Sequence, residues 1–205
     1  MIDAGASFAY RQMKRKLAAL NLQQAKIDYL ILTHTHFDHT RNAAKIKSKY
    51  NCWIIISEKD RDFVKNGYTP IPGGTDRFTR LLSKNGEKIG KKWFGYQPFE
   101  GDIFVNDYFN LSDKGFDIQI IATPGHTEGS VSIIVDNEIA IAGDTMINIF
   151  KKTLLTPFAD NPKEMVQSWK KLLDTSCRIF LPGHGKEISR DYLQKEYEKY
   201  KSIDF

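Results

Sequence analysis

Residues 32–40 read LTHTHFDHT and place three of the chain's five histidines, His34, His36 and His39, with Asp38 in six consecutive positions. A folded core gives no reason to crowd imidazoles at that spacing. Metal coordination does, because imidazole nitrogen and carboxylate oxygen are good zinc ligands. The other histidines stand in glycine- and proline-rich turns, His126 in TPGHTEGS and His184 in PGHG, and Asp144 follows an apolar run in AGDT. Proline and glycine let the backbone turn sharply and expose each ring. These seven side chains are too many for one ion and suit two, with Asp144 bridging. Two ions roughly 3.5–4 Å apart hold a shared hydroxide and clamp attacking and leaving oxygens. Bound zinc lowers the pKa of water from about 15.7 to about 7, so the nucleophile exists at neutral pH. The implied chemistry is hydrolysis.

Strands must position these groups. IDYLILT (27–33) and CWIIIS (52–57) predict buried strands, and Thr40 to Tyr50 between them predicts a helix opening just after the histidine cluster. FDIQIIAT (116–123), SVSIIVD (130–136) and EIAIAG (138–143) predict three successive strands, the last two joined by a tight turn at Asp136-Asn137. Residues 161–174, NPKEMVQSWKKLLD, predict a helix capped by Asn161 with Pro162 at its first position. CRIFLP (177–182) predicts a strand, and residues 9–20 and 189–201 predict helices, the first stopping at Asn21. Every candidate ligand then follows a strand end. In a layered α/β protein such loops converge on one edge, where sites are usually assembled. From about 60 to 110 the periodicity loosens, which reads as an insertion with a short helix near 76–84.

At 205 residues the chain reads as a single domain, 1–205, long enough to bury a core without disulfides. Cys52 and Cys177 lie far apart outside any CxxC pattern, which fits a reducing compartment. The start, MIDAGASFAY, lacks the basic and apolar regions of a secretory signal, and the longest apolar runs are too short to span a bilayer. The expectation is a soluble, cytoplasmic protein with no membrane partner. The net charge of +5 is uneven: residues 1–100 carry 18 Lys and Arg against 9 Asp and Glu, the remainder 12 against 16. A basic half could attract nucleic acid. However, KRK (14–16) and KIKSK (45–49) read as solvated helix faces without the aromatic and glycine interleaving of an RNA-binding surface. A small-molecule substrate is expected, and nucleic acid is not.

THTHFDHT resembles the HxHxDH motif of the metallo-β-lactamase superfamily, and TPGHTEGS, AGDT and PGHG resemble its three later metal motifs, in order. The resemblance covers nearly the whole chain. It implies an α/β fold, a four-layer αββα sandwich, with a dinuclear site on one edge holding two Zn2+, iron or manganese being alternatives. By position, His34, His36 and His126 would hold the first metal and Asp38, His39 and His184 the second, with Asp144 between them. Asp38 would be catalytic, orienting the hydroxide and accepting its proton, with Asp3 and Thr127 standing behind the ligands. Aspartate at 144 is more typical of glyoxalase II-like and lactonase-like hydrolases than of true β-lactamases, which usually carry Cys or Ser there. His36 argues against the flavodiiron branch, which has Glu. GDTMIN lacks the tyrosine that acyl-homoserine-type lactonases place three residues after the aspartate. The expected function is a metal-dependent hydrolase of a small ester, thioester or lactone. An RNase Z-like phosphodiesterase and a promiscuous β-lactamase are the alternative readings.

Several features depart from the family pattern. IDAG stands at residues 2–5, where family members reach it only after two or three strands. Two readings stand: the start is misassigned, or the sandwich is N-terminally shortened and leaves a sheet edge that a second copy could cover, as a homodimer. The chain ends soon after His184, without the helical domain with which glyoxalase II grips glutathione, so a substrate other than a glutathione thioester is expected. DHTRN replaces the usual DHxGG, setting Arg41 and Asn42 where glycines are expected; Arg41 either contacts an anionic substrate or is a tolerated helix residue. Trp93, Phe94, Tyr96, Phe99, Phe150 and Phe158 could wall a pocket for a hydrophobic acyl or aromatic substrate, core packing being the other reading of each.

Overall fold

Residues Ala9–Ala19 form helix α1, and the chain breaks at Asn21, whose φ of 57° is a left-handed value that asparagine tolerates. The structure, a computed structural model, describes residues 1–149 and 152–205, with their side chains except at 77, 78 and 84–89. The chain divides into two compact units, Met1–Pro70 with Ile89–Phe104, and Ile71–Lys88 with Val105–Phe205.

In the first unit, α1 leads to strand β1 (Tyr29–Ile31), the short helices α2 (Phe37–Thr40) and α3 (Ala43–Tyr50), strand β2 (Trp53–Ser57) and helix α4 (Arg61–Asn66). Helix α5 (Arg77–Phe94) begins in the second unit and ends in the first, bent where Gly90 leaves helical geometry, and strand β3 (Ile103–Val105) follows. The strands order as β1-β2-β3, with β1 and β2 parallel and Leu30 opposite Ile54. The β-branched run of β2 explains its depth: Ile54, Ile55 and Ile56 are buried. Leu30, Leu32, Ile46, Ile54, Ile56 and Val64 form the core, closed by Tyr96 and Phe99. Each such apolar side chain contributes on the order of 1.5–3 kcal/mol on burial. Residues 1–3 run alongside β1: the Ile31 amide donates to the Met1 carbonyl and the Asp3 amide to the Ile31 carbonyl, both at 2.9 Å. That pairing brings Asp3 to the ligand loop beyond β1.

The second unit holds a six-stranded sheet of β4 (Tyr108–Asn110), β5 (Ile118–Ala122), β6 (Val131–Val135), β7 (Ile139–Gly143), β8 (Ile179–Pro182) and β9 (Ile188–Ser189), paired in that order. Helix α6 (Pro162–Leu173) precedes β8, and α7 (Arg190–Tyr200) follows β9. Strands β4 to β7 are antiparallel neighbours, and β7 pairs parallel with β8. The turn between β6 and β7 has positive φ at Asp136 and Asn137, 53° and 55°, as a two-residue hairpin requires. The Asn161 side chain caps α6, accepting from the Glu164 amide at 3.1 Å. Trp169, Leu172, Phe180, Met146, Val166 and Leu193 are fully buried in one cluster.

The stretch from 60 to 110 is more ordered than its composition predicts: it carries α4, α5, β3 and β4, and α5 extends well past the expected short helix. Both cysteines are free and buried. No helix among the described residues is long and apolar enough to cross a membrane.

Candidate metal centre

The first unit presents His34, His36, Asp38 and His39 on the loop beyond β1 and the opening turn of α2. His36 is the N-cap of α2 in an extended conformation, and its carbonyl accepts from the His39 and Thr40 amides at 3.0 Å each. The Thr40 hydroxyl donates back to the His34 carbonyl at 3.3 Å, closing the loop on itself. The three rings pack together, His34 lying 4.7 Å from His36 and 4.1 Å from His39 between centroids. All three histidines are buried. Three protonated imidazoles at that spacing would repel one another in a poorly solvated place.

Each ring has one nitrogen committed to the protein. His36 Nε2 lies 3.0 Å from the Pro70 carbonyl. A carbonyl only accepts, so Nε2 carries the proton and Nδ1 keeps the lone pair that can coordinate. His39 Nδ1 donates to Asp3 Oδ2 at 2.8 Å, which makes Nε2 the ligand atom. The Thr33 hydroxyl donates to the Asp3 carboxylate, at 2.9 Å to Oδ2, and so accepts from His34 Nδ1 at 3.1 Å. His34 thereby offers Nε2. Asp3 also accepts from the Thr33 amide at 2.8 Å, so one carboxylate orients two of the three rings.

The second unit presents His126, Asp144 and His184, each just past a different strand. His126 follows β5, and its Nδ1 donates to the Phe158 carbonyl at 2.8 Å, so Nε2 is its ligand atom. Gly125 before it has φ of 128°, and a Cβ there would lie 2.2 Å from the Met165 amide nitrogen, so only glycine fits. Parallel pairing of β7 with β8, extended by the Gly183 amide donating to the Gly143 carbonyl at 2.8 Å, brings Asp144 beside His184. Asp144 Oδ2 lies 3.8 Å from His126 Nε2 and 3.5 Å from His184 Nε2. In the first unit, Asp38 Oδ2 lies 3.9 Å from His39 Nε2. Two donors on one tetrahedral zinc, with bonds of about 2.0–2.2 Å, lie about 3.3–3.6 Å apart, so the Asp144–His184 separation fits a shared ion as it stands and the other two are a few tenths of an ångström wider. The donor set, nitrogen and carboxylate oxygen without sulfur, also fits zinc, iron or manganese.

The other sequence candidates fall differently. Thr127 bonds within its own turn, its amide and hydroxyl both meeting the Ser130 hydroxyl, at 3.1 and 2.9 Å. Arg41 is a structural clamp: it donates to the Trp93 carbonyl at 2.6 Å and to the Gly95 carbonyl at 3.0 Å, and lies over the Phe37 ring. Those carbonyls end α5, where a cation is favoured. Tyr96 and Phe99 are core residues of the first unit, because their rings complete its apolar cluster. Trp93 is exposed and Phe94 packs on Phe37. Phe158 is half-buried, and Phe150 lies outside the described residues.

Of the groups behind the candidate ligands, sequence reasoning named Asp3, which meets His39 and Thr33, and missed Thr33 and two backbone carbonyls. Thr33 adjoins the motif and could have been read as a partner of His34. Pro70 and Phe158 act through backbone carbonyls, which every residue type possesses, so they leave no signal. A buried network was also missed: the Thr69 hydroxyl meets the Thr35 carbonyl and hydroxyl and the Tyr96 hydroxyl at 2.7–2.9 Å, bracing the residue between His34 and His36. Burial pushes the Tyr96 phenol up to about 12, against the opposing pull of its Thr69 hydrogen bond.

The family model described as metallo-beta-lactamase superfamily matches residues 1–184. A probable metallo-hydrolase of Methanocaldococcus jannaschii is 33% identical over 148 residues, 71% of this chain and 61% of that protein. A hydroxyacylglutathione hydrolase of Brucella anthropi is 31% identical over 167 residues, covering 81% of this chain and 48% of that enzyme. The chain thus spans about half to three-fifths of these two relatives. Among solved structures, an archaeal metallo-beta-lactamase superfamily protein from Sulfolobus tokodaii matches over 100% of this chain and 78% of its own, with a TM-score of 0.65 and 20% identity. That likeness is one of fold.

Proposed function

Because the chain belongs to the metallo-β-lactamase superfamily, a superfamily of metallo-hydrolases, we propose that it uses two metal ions to hydrolyse a small ester, thioester or lactone. The observation that carries this reading is the ring orientation. Four histidines each turn one nitrogen to an oxygen of the protein, which sets the tautomer of each ring and puts the lone pair suited to coordination on its second nitrogen. In the proposed assignment His34, His36 and His126 would hold one ion and Asp38, His39 and His184 the other, with Asp144 available to both.

When bound, the ions supply Lewis acidity and a water acidic enough to be a nucleophile near neutral pH. The chain's own residues do the rest. Asp38 holds the attacking water and takes its proton on the carboxylate. The water oxygen forms the new bond to the acyl carbon, and the carbon–oxygen or carbon–sulfur bond of the substrate breaks. The leaving alkoxide or thiolate then receives the proton from Asp38, which returns to its carboxylate form. Asp3 and the Pro70 and Phe158 carbonyls keep the rings from turning as charge develops. An aspartate at 144 favours acyl chemistry of this kind, as does the likeness to a hydroxyacylglutathione hydrolase.

The test is a panel of small esters, thioesters and lactones offered to zinc-loaded protein. Hydrolysis of at least one, lost on chelation and restored by zinc, is expected. Protein carrying two ions yet inert toward the whole panel would overturn the substrate class, and salt-sensitive RNA cleavage instead would point to a phosphodiesterase.

A further inference from the structure

We infer that Asn42 is a positioning residue for the metal ligand His39, acting through the turn formed by Asp3–Ala6; the inference rests on the two-metal reading. Asn42 sits where the family pattern has glycine, and its side chain is buried. It occupies the N-cap position of α3 but makes no capping hydrogen bond there. Its amide serves another element. Asn42 Nδ2 donates to the carbonyls of Ala4, Gly5 and Ala6 at 3.0, 3.0 and 2.7 Å. Two N–H groups shared among three consecutive carbonyls place that nitrogen at the focus of a tight turn.

Asp3 has φ of 54° and Gly5 of 68°, left-handed values that aspartate and glycine accept, so the turn reverses tightly and points its carbonyls inward at one donor. His39 grips the same turn from its other side: its carbonyl accepts from the Ala4 and Gly5 amides at 2.6 and 2.9 Å. Its Nδ1 donates to Asp3. His39 and Asn42, three residues apart, therefore close on one loop, and Asp3 is held against the imidazole by both. Without the Asn42 amide, three inward carbonyls lose their donor. The turn then opens, Asp3 withdraws, and the His39 ring loses the partner that fixes its tautomer and keeps Nε2 ready to coordinate.

The experiment is a competition titration of metal-free protein with zinc against a chromophoric chelator, for wild type, Asn42→Gly, Asp3→Ala and the double variant. Thermal unfolding of each metal-free protein is followed in parallel. In Asn42→Gly the second zinc is expected to bind about 10–100-fold more weakly, the usual cost of losing an outer partner of a ligand. The first zinc should shift far less. Asp3→Ala should weaken the same step, and adding Asn42→Gly to it should weaken it little further, because the two act in series. If Asn42→Gly does not fold, Asn42→Ser keeps one donor and should show a smaller shift in the same direction. ¹⁵N chemical shifts of metal-free wild type should show His39 protonated at Nδ1, and in the variant this preference should be lost. A purely structural Asn42 would lower the unfolding temperature while leaving both zinc affinities and the tautomer unchanged, and that result would overturn the inference. Fully additive effects in the double variant would overturn it too. Wild type that binds fewer than two zinc ions would overturn the two-metal reading and this inference with it.

Discussion

The two sets of candidate ligands are built on opposite principles. The first unit gathers His34, His36, Asp38 and His39 on one loop and one helical turn, and steadies them with side chains and carbonyls: Asp3, Thr33 and Pro70. The second unit draws His126, Asp144 and His184 from the ends of three strands, β5, β7 and β8. Sheet register and a close-fitting glycine steady those. A contiguous motif brings its members together by chain connectivity, so what remains is to orient them. A dispersed set must first be assembled by nonlocal pairing, so its geometry is as stable as the core beneath the sheet. Damage to the first set should therefore cost metal more than fold, and damage beneath the second should cost fold and metal together.

The largest expected effect attacks the second set through its core. Trp169 is fully buried, and its Nε1 donates to the carbonyl of Thr145, the residue after Asp144, at 2.6 Å. Trp169→Ala should destabilise by about 3–5 kcal/mol, the range for deleting a large buried aromatic. Denaturant titration of the metal-free protein reads this directly, and zinc affinity should fall with it. The converse test is Asp3→Asn. It keeps the shape but weakens the acceptor for His39 Nδ1, and should cost about 10–100-fold in zinc affinity. The unfolding midpoint of the metal-free protein should move little. A loss of stability as large as that of Trp169→Ala would break the distinction.

A smaller effect concerns the brace behind Thr35. Tyr96→Phe removes one hydroxyl from the buried Thr69 network and should cost about 1 kcal/mol. It also carries a pH signature. Burial raises the folded phenol to about 12, above its ordinary value near 10. The folded state therefore holds this proton where the unfolded chain has lost it, and stability falls with rising pH. The contribution is fully present below about pH 10 and is lost between about 10 and 12. Wild type should weaken across that window more than Tyr96→Phe does, as denaturant midpoints at several pH values would show. Smallest of all is Lys170→Ala on α6, which removes a solvent-exposed pair with Asp174 and should change stability by no more than about 0.5 kcal/mol.

The same contrast explains what could be read from the sequence. The first set was legible because its members adjoin one another, and local spacing alone points to coordination. The second was legible only through the glycine and proline flanks of His126 and His184; nothing in AGDT distinguishes Asp144 from a turn residue until β7 is seen beside β8. Asn161 and Pro162 fixed the start of α6, and Asp136-Asn137 fixed a hairpin, because both signals are local. Helix α5 runs to Phe94, past the expected short helix near 76–84, with Gly90 non-helical inside it. Tyr96 and Phe99 were candidate pocket residues because an aromatic near a glycine carries no mark of which side it will face. Asn42 was visible as a departure from the family pattern, but its three acceptors are backbone carbonyls nearly forty residues earlier, beyond any local pattern.

The proposed two-metal hydrolase needs ligands from both sets. Zinc per folded chain, measured by elemental mass spectrometry on untagged protein reconstituted with zinc and freed of excess, tests it most directly. Two zinc per chain are expected, falling on substitution of a ligand in either unit, His39→Ala in one and Asp144→Ala in the other. One zinc or none per wild-type chain, or two that neither substitution disturbs, would contradict it.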